Sequence, residues 1–463
     1  MNIYINVEIS ARELDSKLLL ATLAAAKGHD IIVSEKEIIE KGLLRGWLPP
    51  GIFHTKSLTP SKNKIDIHQA ILKTGSKITA IDEEANIDHV GYDNFLKQRY
   101  SQETINQSSA VFSWGEEDFE SLKKNYLESS DKFYKTGSPR VDLWKPAFSE
   151  YWNDHKSIAE RPFLLIASNM HVCANIQFSE RIKMIRESGY FDRTPDLFKE
   201  RFMLLSDDYL KAFIFIEAIK YLSKNNNGYD IVFRPHPSES VECWKILLEG
   251  ISNLHVVREG AISSWIRKAF AVMHHGCTTA IETSVSQKPL ITYAAIELKN
   301  HMYQNILANQ LGHIVTSKED LSKKINLLFE KINNKSEKTN NDQTLPSSIL
   351  SKIYVDNNEL AAEKMIKAWE NISDEKFFKP INLTKLKLFS FKLRINRLMG
   401  DILKKIFKSK FKRLGTRTNN QKFPPLNIKD INENVKKFQK ILNIKKKIEC
   451  RLVSDRTIII RSV

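Results

Sequence analysis

Short apolar runs alternate with stretches of helical periodicity through most of the chain. Residues 2–9 (Asn-Ile-Tyr-Ile-Asn-Val-Glu-Ile) predict a strand. Residues 11–27 predict a helix, with Leu18, Leu19, Leu20, Leu23 and Ala24 apolar and Gly28 as its stop. Ile31, Ile32 and Val33 begin a second strand. Strand, helix, strand at this spacing is a βαβ unit and implies a parallel sheet. The alternation continues with a helix at 66–73, a strand at 77–81, a strand at 110–115 and a helix near 116–126. Thr136-Gly137-Ser138-Pro139-Arg140-Val141-Asp142 marks a sharp turn, and a thinly apolar, charged stretch follows it.

A second alternating series starts at a strand over 162–167. A long helix is predicted at 206–224, with Asp207 and Asp208 suited to its first turn. Asp230-Ile231-Val232-Phe233 then reads as a buried strand ending in Arg234-Pro235-His236-Pro237. Two prolines stop the strand there, since each removes a donor and fixes φ. Arg234 and His236 stand at the carboxyl end of a strand, where open α/β sheets bind ligands, and the pair suits a phosphate. The plainer reading is a strand end with a surface Arg and a capping His. A helix near 241–249, a strand at 254–257 and a helix near 262–269 follow.

Ala271-Val272-Met273-His274-His275 predicts the next strand, running into Gly276-Cys277-Thr278-Thr279-Ala280-Ile281-Glu282. A glycine and small hydroxyl residues opening a helix leave backbone N–H groups for an anion. Glu282, one turn in, can accept hydrogen bonds from ribose hydroxyls. An ordinary helix capped by Thr279 fits the same residues. In the first half, Asp82-Glu83-Glu84 ends a predicted strand, where like charges raise a pKa and favour proton chemistry; a solvated acidic turn is the alternative. The first βα turn lacks a dinucleotide fingerprint.

Composition changes this picture in two places. The four cysteines (Cys173, Cys243, Cys277, Cys450) are scattered, which argues for a reducing compartment and against a zinc site or disulfide frame. No charged n-region with an apolar core opens the chain, and no apolar run reaches 18 residues, so a cytoplasmic protein is expected. The net charge of +16 is unevenly spread: residues 376–463 hold 25 Lys+Arg against 5 Asp+Glu, and the remainder is slightly acidic. The expected domains are 1–145, 155–335, a linker and returning helix at 336–375, and a basic amphipathic tail at 376–463 with a small terminal α/β segment.

The ordered set Asp82-Glu83-Glu84, Thr136 to Asp142, Arg234 to Glu239 and His275 to Glu282 resembles the bacterial surface carbohydrate biosynthesis proteins, glycosyltransferases of the GT-B fold. It resembles the retaining β-Kdo transferases that cap O-antigen chains and, more remotely, capsule Kdo transferases and CDP-glycerol glycerophosphotransferases. The resemblance covers residues 1 to about 375, and Phe423-Pro424-Pro425-Leu426 also looks familial. It implies two Rossmann-like domains facing across a cleft, with the nucleotide on the second and the acceptor on the first. It implies that Arg234 and His236 hold the donor phosphate, Gly276, Cys277, Thr278 and Thr279 add backbone donors, and Glu282 binds the ribose. Asp82, Glu83 and Glu84 match the position of a catalytic carboxylate acting as general base or acid, and Asp142 is the weaker candidate for the nucleophile of a double displacement. The family's Thr-Gly-Asn-Pro-Arg is Thr-Gly-Ser-Pro-Arg here, and Ala85 stands where the acidic motif usually continues with Gly. No cofactor is expected beyond the nucleotide sugar, with CMP-Kdo as donor. A CMP-sugar needs no metal to neutralise a diphosphate, and no metal cluster is seen in the sequence.

The tail predicts a basic helix at 383–414, with Leu388, Phe391, Ile395, Leu398, Met399, Ile402, Ile406 and Phe407 apolar. Lys392, Arg397, Lys404, Lys405, Lys408 and Lys412 are the expected contacts to an anionic membrane surface, the inner face of the cytoplasmic membrane. The alternatives are a helix packed on the body and a nucleic-acid arm, the latter without an aromatic stacking platform. The function expected is transfer of Kdo to a lipid-linked or polysaccharide acceptor. A sugar-nucleotide epimerase or polyol-phosphate transferase on the same fold, and a non-enzymatic membrane or nucleic-acid-binding protein, are the competing classes.

Overall fold

A computed structural model describes residues 1–83, 96, 99–153, 161–170, 183, 195–295, 307–333, 345–406 and 423–463. Two compact units emerge. Among the described residues, one joins those of 1–86 and 91–143 to those of 350–463, and the other is built from those of 144–349.

The first unit is an eight-stranded sheet. Its parallel part runs β1 (Asn2–Val7), β2 (Asp30–Glu35), β3 (Ile52–Thr55), β4 (Lys77–Ile81), β5 (Ala110–Ser113) and β6 (Phe133–Lys135). Their order across the sheet is β2-β1-β3-β4-β5-β6. The second unit holds six parallel strands: β7 (Phe163–Ala167), β8 (Asp230–Arg234), β9 (Leu254–Val256), β10 (Ala271–His274), β11 (Leu290–Tyr293) and β12 (His313–Val315). They lie in the order β12-β11-β10-β7-β8-β9, which is the Rossmann order. Two Rossmann-like parallel sheets are thus present, as the α/β reading expects. Most strands bury every residue, as in Ile3 to Val7, Phe163 to Ala167 and Ala271 to His274, because helices cover both faces.

The sequence reading treats 376–463 as a tail of its own, and the structure integrates it differently. β13 (Ile448–Ser454) and β14 (Thr457–Ser462) form an antiparallel hairpin, and β14 pairs antiparallel with β2. Ile458, Ile459 and Ile460 are fully buried, and the Thr457 and Ser34 hydroxyls hydrogen-bond at 2.7 Å. The hairpin covers the sheet edge that β2 would otherwise expose. The helix Leu383–Ile406 packs Leu386, Phe389 and Leu393 into the first core, with Phe389 stacked on Trp47 at 5.5 Å.

The helix expected at 206–224 spans Pro195–Lys224, because no residue between 195 and 206 interrupts it beyond the opening proline. Asp207 and Asp208 therefore lie inside the helix, not in its first turn, and Asp208 pairs with the buried Lys211 at 2.7 Å. Cys243 is disulfide-bonded, which corrects the expectation of a chain without disulfides, while Cys277 and Cys450 are free. Among the described residues no helix is long and apolar enough to cross a membrane.

The returning segment is fastened at Gly115. A Cβ there would lie 2.5 Å from the Lys352 backbone carbon, Glu117 N donates to Ser351 O at 2.9 Å, and Tyr354 N donates to Trp114 O at 2.6 Å. We expect Gly115→Ala to lower stability by about 1–3 kcal/mol, as overpacking does. Chemical denaturation of the variant checks this; an unchanged midpoint would show that the segment is held elsewhere.

Candidate functional site

The strand order of the first sheet reverses between β1 and β3, the point where doubly wound sheets bind ligands beyond the carboxyl strand ends. Asn6, near the end of β1, accepts from Lys56 N beyond β3 at 3.1 Å and ties the two ends together. A cavity of about 10 Å³ lies here, lined by Lys17, His54, Glu83, Pro139 and Met365 among others. That is about the room of one water molecule.

Glu83 follows β4 and is buried against Lys17, whose Nζ lies 2.9 Å from Oε1. Arg140 Nη1 donates to the Glu83 carbonyl at 3.2 Å and sits 4.0 Å from Oε2. Burial pushes the carboxyl up, but Lys17 and then Arg140 outweigh it and hold it below the usual glutamate range. Glu83 is therefore ionised at neutral pH. Its Oε2 is buried without a hydrogen-bond partner.

His54 is buried on β3. Trp369 Nε1 donates to Thr79 Oγ1 at 3.0 Å, and the same hydroxyl lies 3.1 Å from His54 Nδ1. Burial, with Lys17 nearby, keeps the ring well below the usual imidazole range and hence neutral.

The other carboxylates expected in the first unit have different surroundings. Asp82 accepts a two-pronged bond from Arg99, at 2.6 and 2.7 Å, and its carbonyl accepts from Trp114 Nε1 at 2.8 Å. Asp142 is buried and accepts from Ala362 N at 3.1 Å, in the first turn of the helix Ala361–Asn371. It serves that helix as an N-terminal anion. Glu84 lies outside the described residues.

In the second sheet the reversal falls between β7 and β10. Asn169, after β7, donates from Nδ2 to Gly276 O at 2.5 Å, and Asn309 accepts from Gly276 N. Gly276 has φ +68, a left-handed conformation that admits glycine without strain. Cys277 Sγ donates to Thr279 Oγ1 at 3.1 Å, and Thr278 is exposed at the start of the short helix Thr279–Val285. Thr278, in the αR region, is the N-cap, and no side chain caps this helix. The expected capping bond from Thr279 is therefore not made.

His236 Nδ1 accepts from Ser238 N at 3.2 Å and lies 2.7 Å from Ser238 Oγ, so the ring proton resides on Nε2. Arg234 is more committed than the sequence implied. Nη1 donates to Glu259 O at 2.7 Å, Nη2 donates to Gly260 O, and the guanidinium lies 5.8 Å from the Trp265 ring centre. Burial lowers its pKa to about 10 against the opposing effect of Glu259 and Glu282. Glu282 is buried and accepts from the Ser263 hydroxyl.

Sequence reasoning missed Lys17, His54 and Arg140 in the first unit. In the second it missed Glu239, a buried carboxylate that accepts from Ser168 Oγ (2.7 Å), Met170 N (2.9 Å), Trp244 Nε1 (2.8 Å) and His236 N (3.2 Å). Glu239 fixes the turn on which His236 stands. The Arg-Pro-His-Pro-Ser-Glu run was itself the available signal. Among the described residues no group of three His, Cys, Asp or Glu side chains forms a metal site.

The membrane contacts expected from sequence are only partly placed. Lys392 is exposed on the helix Leu383–Ile406, which also contains Arg397, Lys404 and Lys405. Lys408 and Lys412 lie outside the described residues.

No family model matches the chain, and no curated protein does. Solved structures similar to it include a putative UDP-N-acetylglucosamine 2-epimerase from Listeria monocytogenes, at 13% identity and a TM-score of 0.45, over 81% of this chain and 97% of that one. The UDP-GlcNAc 2-epimerase from Neisseria meningitidis, bound to UDP-GlcNAc, matches at 10% identity and a TM-score of 0.46, over 80% and 100%. The wall teichoic acid polymerase TagF matches at 13% identity and a TM-score of 0.40, over 80% and 88%.

Burial also sets the acid response. Desolvation lowers His68 to about 3, His274 to about 3 and His275 to about 4. All three are neutral in the folded chain and titrate near 6.5 when unfolded. The unfolded state thus binds more protons below that pH, so stability is intact above about 6.5 and falls as pH drops toward 4. Melting temperatures across that window check the sign. His68→Leu is expected to flatten the fall, since both ring nitrogens of His68 are buried without partners.

Proposed function

We propose that the chain is a glycosyltransferase of surface polysaccharide assembly that draws its sugar from a nucleotide-activated donor. The observation that supports this is at the second sheet: β10 runs into Gly276 to Thr279 at the strand-order reversal of a Rossmann-ordered sheet, and Arg234 and His236 follow β8, the neighbour of β7 on the other side. His236, with its ring proton on Nε2, and the exposed Thr278 segment are the groups we assign to the phosphate oxygens. Arg234 shapes the site by holding the Glu259–Gly260 turn and adds positive potential to it. Glu282 reaches a ribose hydroxyl only alongside its bond to Ser263.

Glu83 is the carboxylate we assign to the chemistry. Held below the usual range by Lys17 and Arg140, it is a base or a nucleophile at neutral pH and not a general acid. The adjoining cavity admits a group of hydroxyl size, which favours taking the proton of an acceptor hydroxyl. Neutral His54 lines the same cavity and can orient that hydroxyl. Asp142 then serves the fold. The family resemblance supplies the finer reading, with Kdo from CMP-Kdo as the sugar and a lipid-linked or polysaccharide glycan as acceptor.

Calorimetric titration of the purified chain with CMP, UDP, GDP and CDP tests the donor site. Binding of one nucleotide, weakened tenfold or more in His236→Ala, is expected. Preference for another base over CMP discards Kdo and keeps the transferase; no binding at all overturns the reading. Turnover of UDP-GlcNAc without any acceptor would select an epimerase instead. With an active donor, Glu83→Gln is expected to reduce kcat by about 10²–10⁴-fold at unchanged nucleotide affinity. Asp142→Asn is expected to lower stability by about 1 kcal/mol and leave kcat within a few-fold.

A further inference from the structure

The helix Leu383–Ile406 has two apolar faces, and only one is used by the fold. Leu386, Phe389 and Leu393 are buried in the first core. Leu388, Phe391, Ile395 and Met399 are 61%, 63%, 40% and 57% exposed. At 3.6 residues per turn these four fall on one line, opposite the buried three. Lys385 and Lys392 run along one side of that line, Lys387 and Arg394 along the other, and all four are exposed. An outward apolar stripe between two basic rails is the pattern of a helix lying in a lipid interface.

We propose that this face docks the protein on an anionic bilayer surface, with Leu388, Phe391, Ile395 and Met399 entering the acyl boundary and the flanking Lys and Arg meeting lipid phosphates. The inner face holds the helix to the body through Leu386, Leu393 and Phe389, the last stacked on Trp47, while Arg394 on the rail also pairs with the exposed Asp455 at 2.9 Å. The helix therefore stands ready before lipid arrives. Charge selects the occupant. The segment 376–463 has 25 Lys+Arg and 5 Asp+Glu, whereas the rest of the chain is slightly acidic. A second copy of the chain placed symmetrically would bring like-charged rails together, which costs affinity. A nucleic acid would answer the rails and leave the apolar stripe in water. Only an anionic lipid surface satisfies both. This inference stands apart from the donor-site reading.

Flotation of the full chain with vesicles tests it. Binding to phosphatidylethanolamine–phosphatidylglycerol vesicles, weakened by salt and lost on phosphatidylcholine alone, is expected. The pair Phe391→Glu and Ile395→Glu should abolish flotation. The triple change Lys385→Gln, Lys387→Gln, Lys392→Gln should lower partitioning on the order of a hundredfold, at about fivefold per basic residue. All five positions are exposed, so thermal melts and nucleotide binding should match the parent chain. Failure of the parent chain to float, or equal flotation by both variants, would overturn the proposal. So would a dimer in sedimentation that Phe391→Glu dissociates, or salt-sensitive RNA binding that outcompetes the vesicles.

Discussion

The first unit depends on a chain that leaves it and comes back. Its parallel sheet is laid down by residue 135, yet part of its cover and one of its edges are supplied only by residues beyond 350. Gly115 admits the Lys352 backbone at a distance no side chain tolerates, Asp142 receives the helix at Ala362, and Trp369 reaches Thr79 inside the sheet. The last of these bonds fixes the hydroxyl that His54 Nδ1 meets. The chemistry assigned to the first sheet therefore rests on a helix more than 280 residues away in sequence.

Electrostatics separates the roles of the acidic residues more sharply than position does. Asp82, Glu83 and Asp142 are all buried. Asp82 is saturated by the Arg99 fork and Asp142 by a helix start. Glu83 keeps one oxygen without a hydrogen bond while Lys17 and Arg140 keep it ionised. A buried charge so arranged is costly to the fold, and its cost is offset only by its cations. The same logic divides the second sheet, where Arg234 spends its nitrogens on a turn and His236 stands on a turn fixed by Glu239.

Much of the architecture was legible because buried parallel strands are continuous apolar runs, as in Ile231-Val232-Phe233 and Ala271-Val272-Met273. Less legible was β3, four residues of Ile-Phe-His-Thr behind Pro49-Pro50-Gly51, too brief for any periodicity to register. His54 was missed with it. β13 was hidden because Glu449 and Arg451 alternate with apolar positions beside a Lys run, which reads as tail. The strand-end motifs around Glu83, His236 and Gly276 could be found from sequence, since their chemistry is contiguous. The partners of Glu83 could not, since Lys17, His54 and Arg140 meet it only through the topology. The apolar positions of the basic helix were read as one face. In the structure Leu388, Phe391, Ile395 and Met399 point outward while Leu386, Phe389 and Leu393 hold the helix down.

The pairing of β14 with β2 joins residues such as Ile460 and Ile31, which lie more than 420 positions apart. On the ribosome, the second unit is complete in sequence well before that partner strand is made. The newborn first sheet must wait with its β2 edge open, a template for pairing with another chain. Synthesis of this protein thus passes through a long interval in which a folded second half is tethered to an unfinished first one, and chaperone demand should peak in that interval and fall once Thr457–Ser462 emerges.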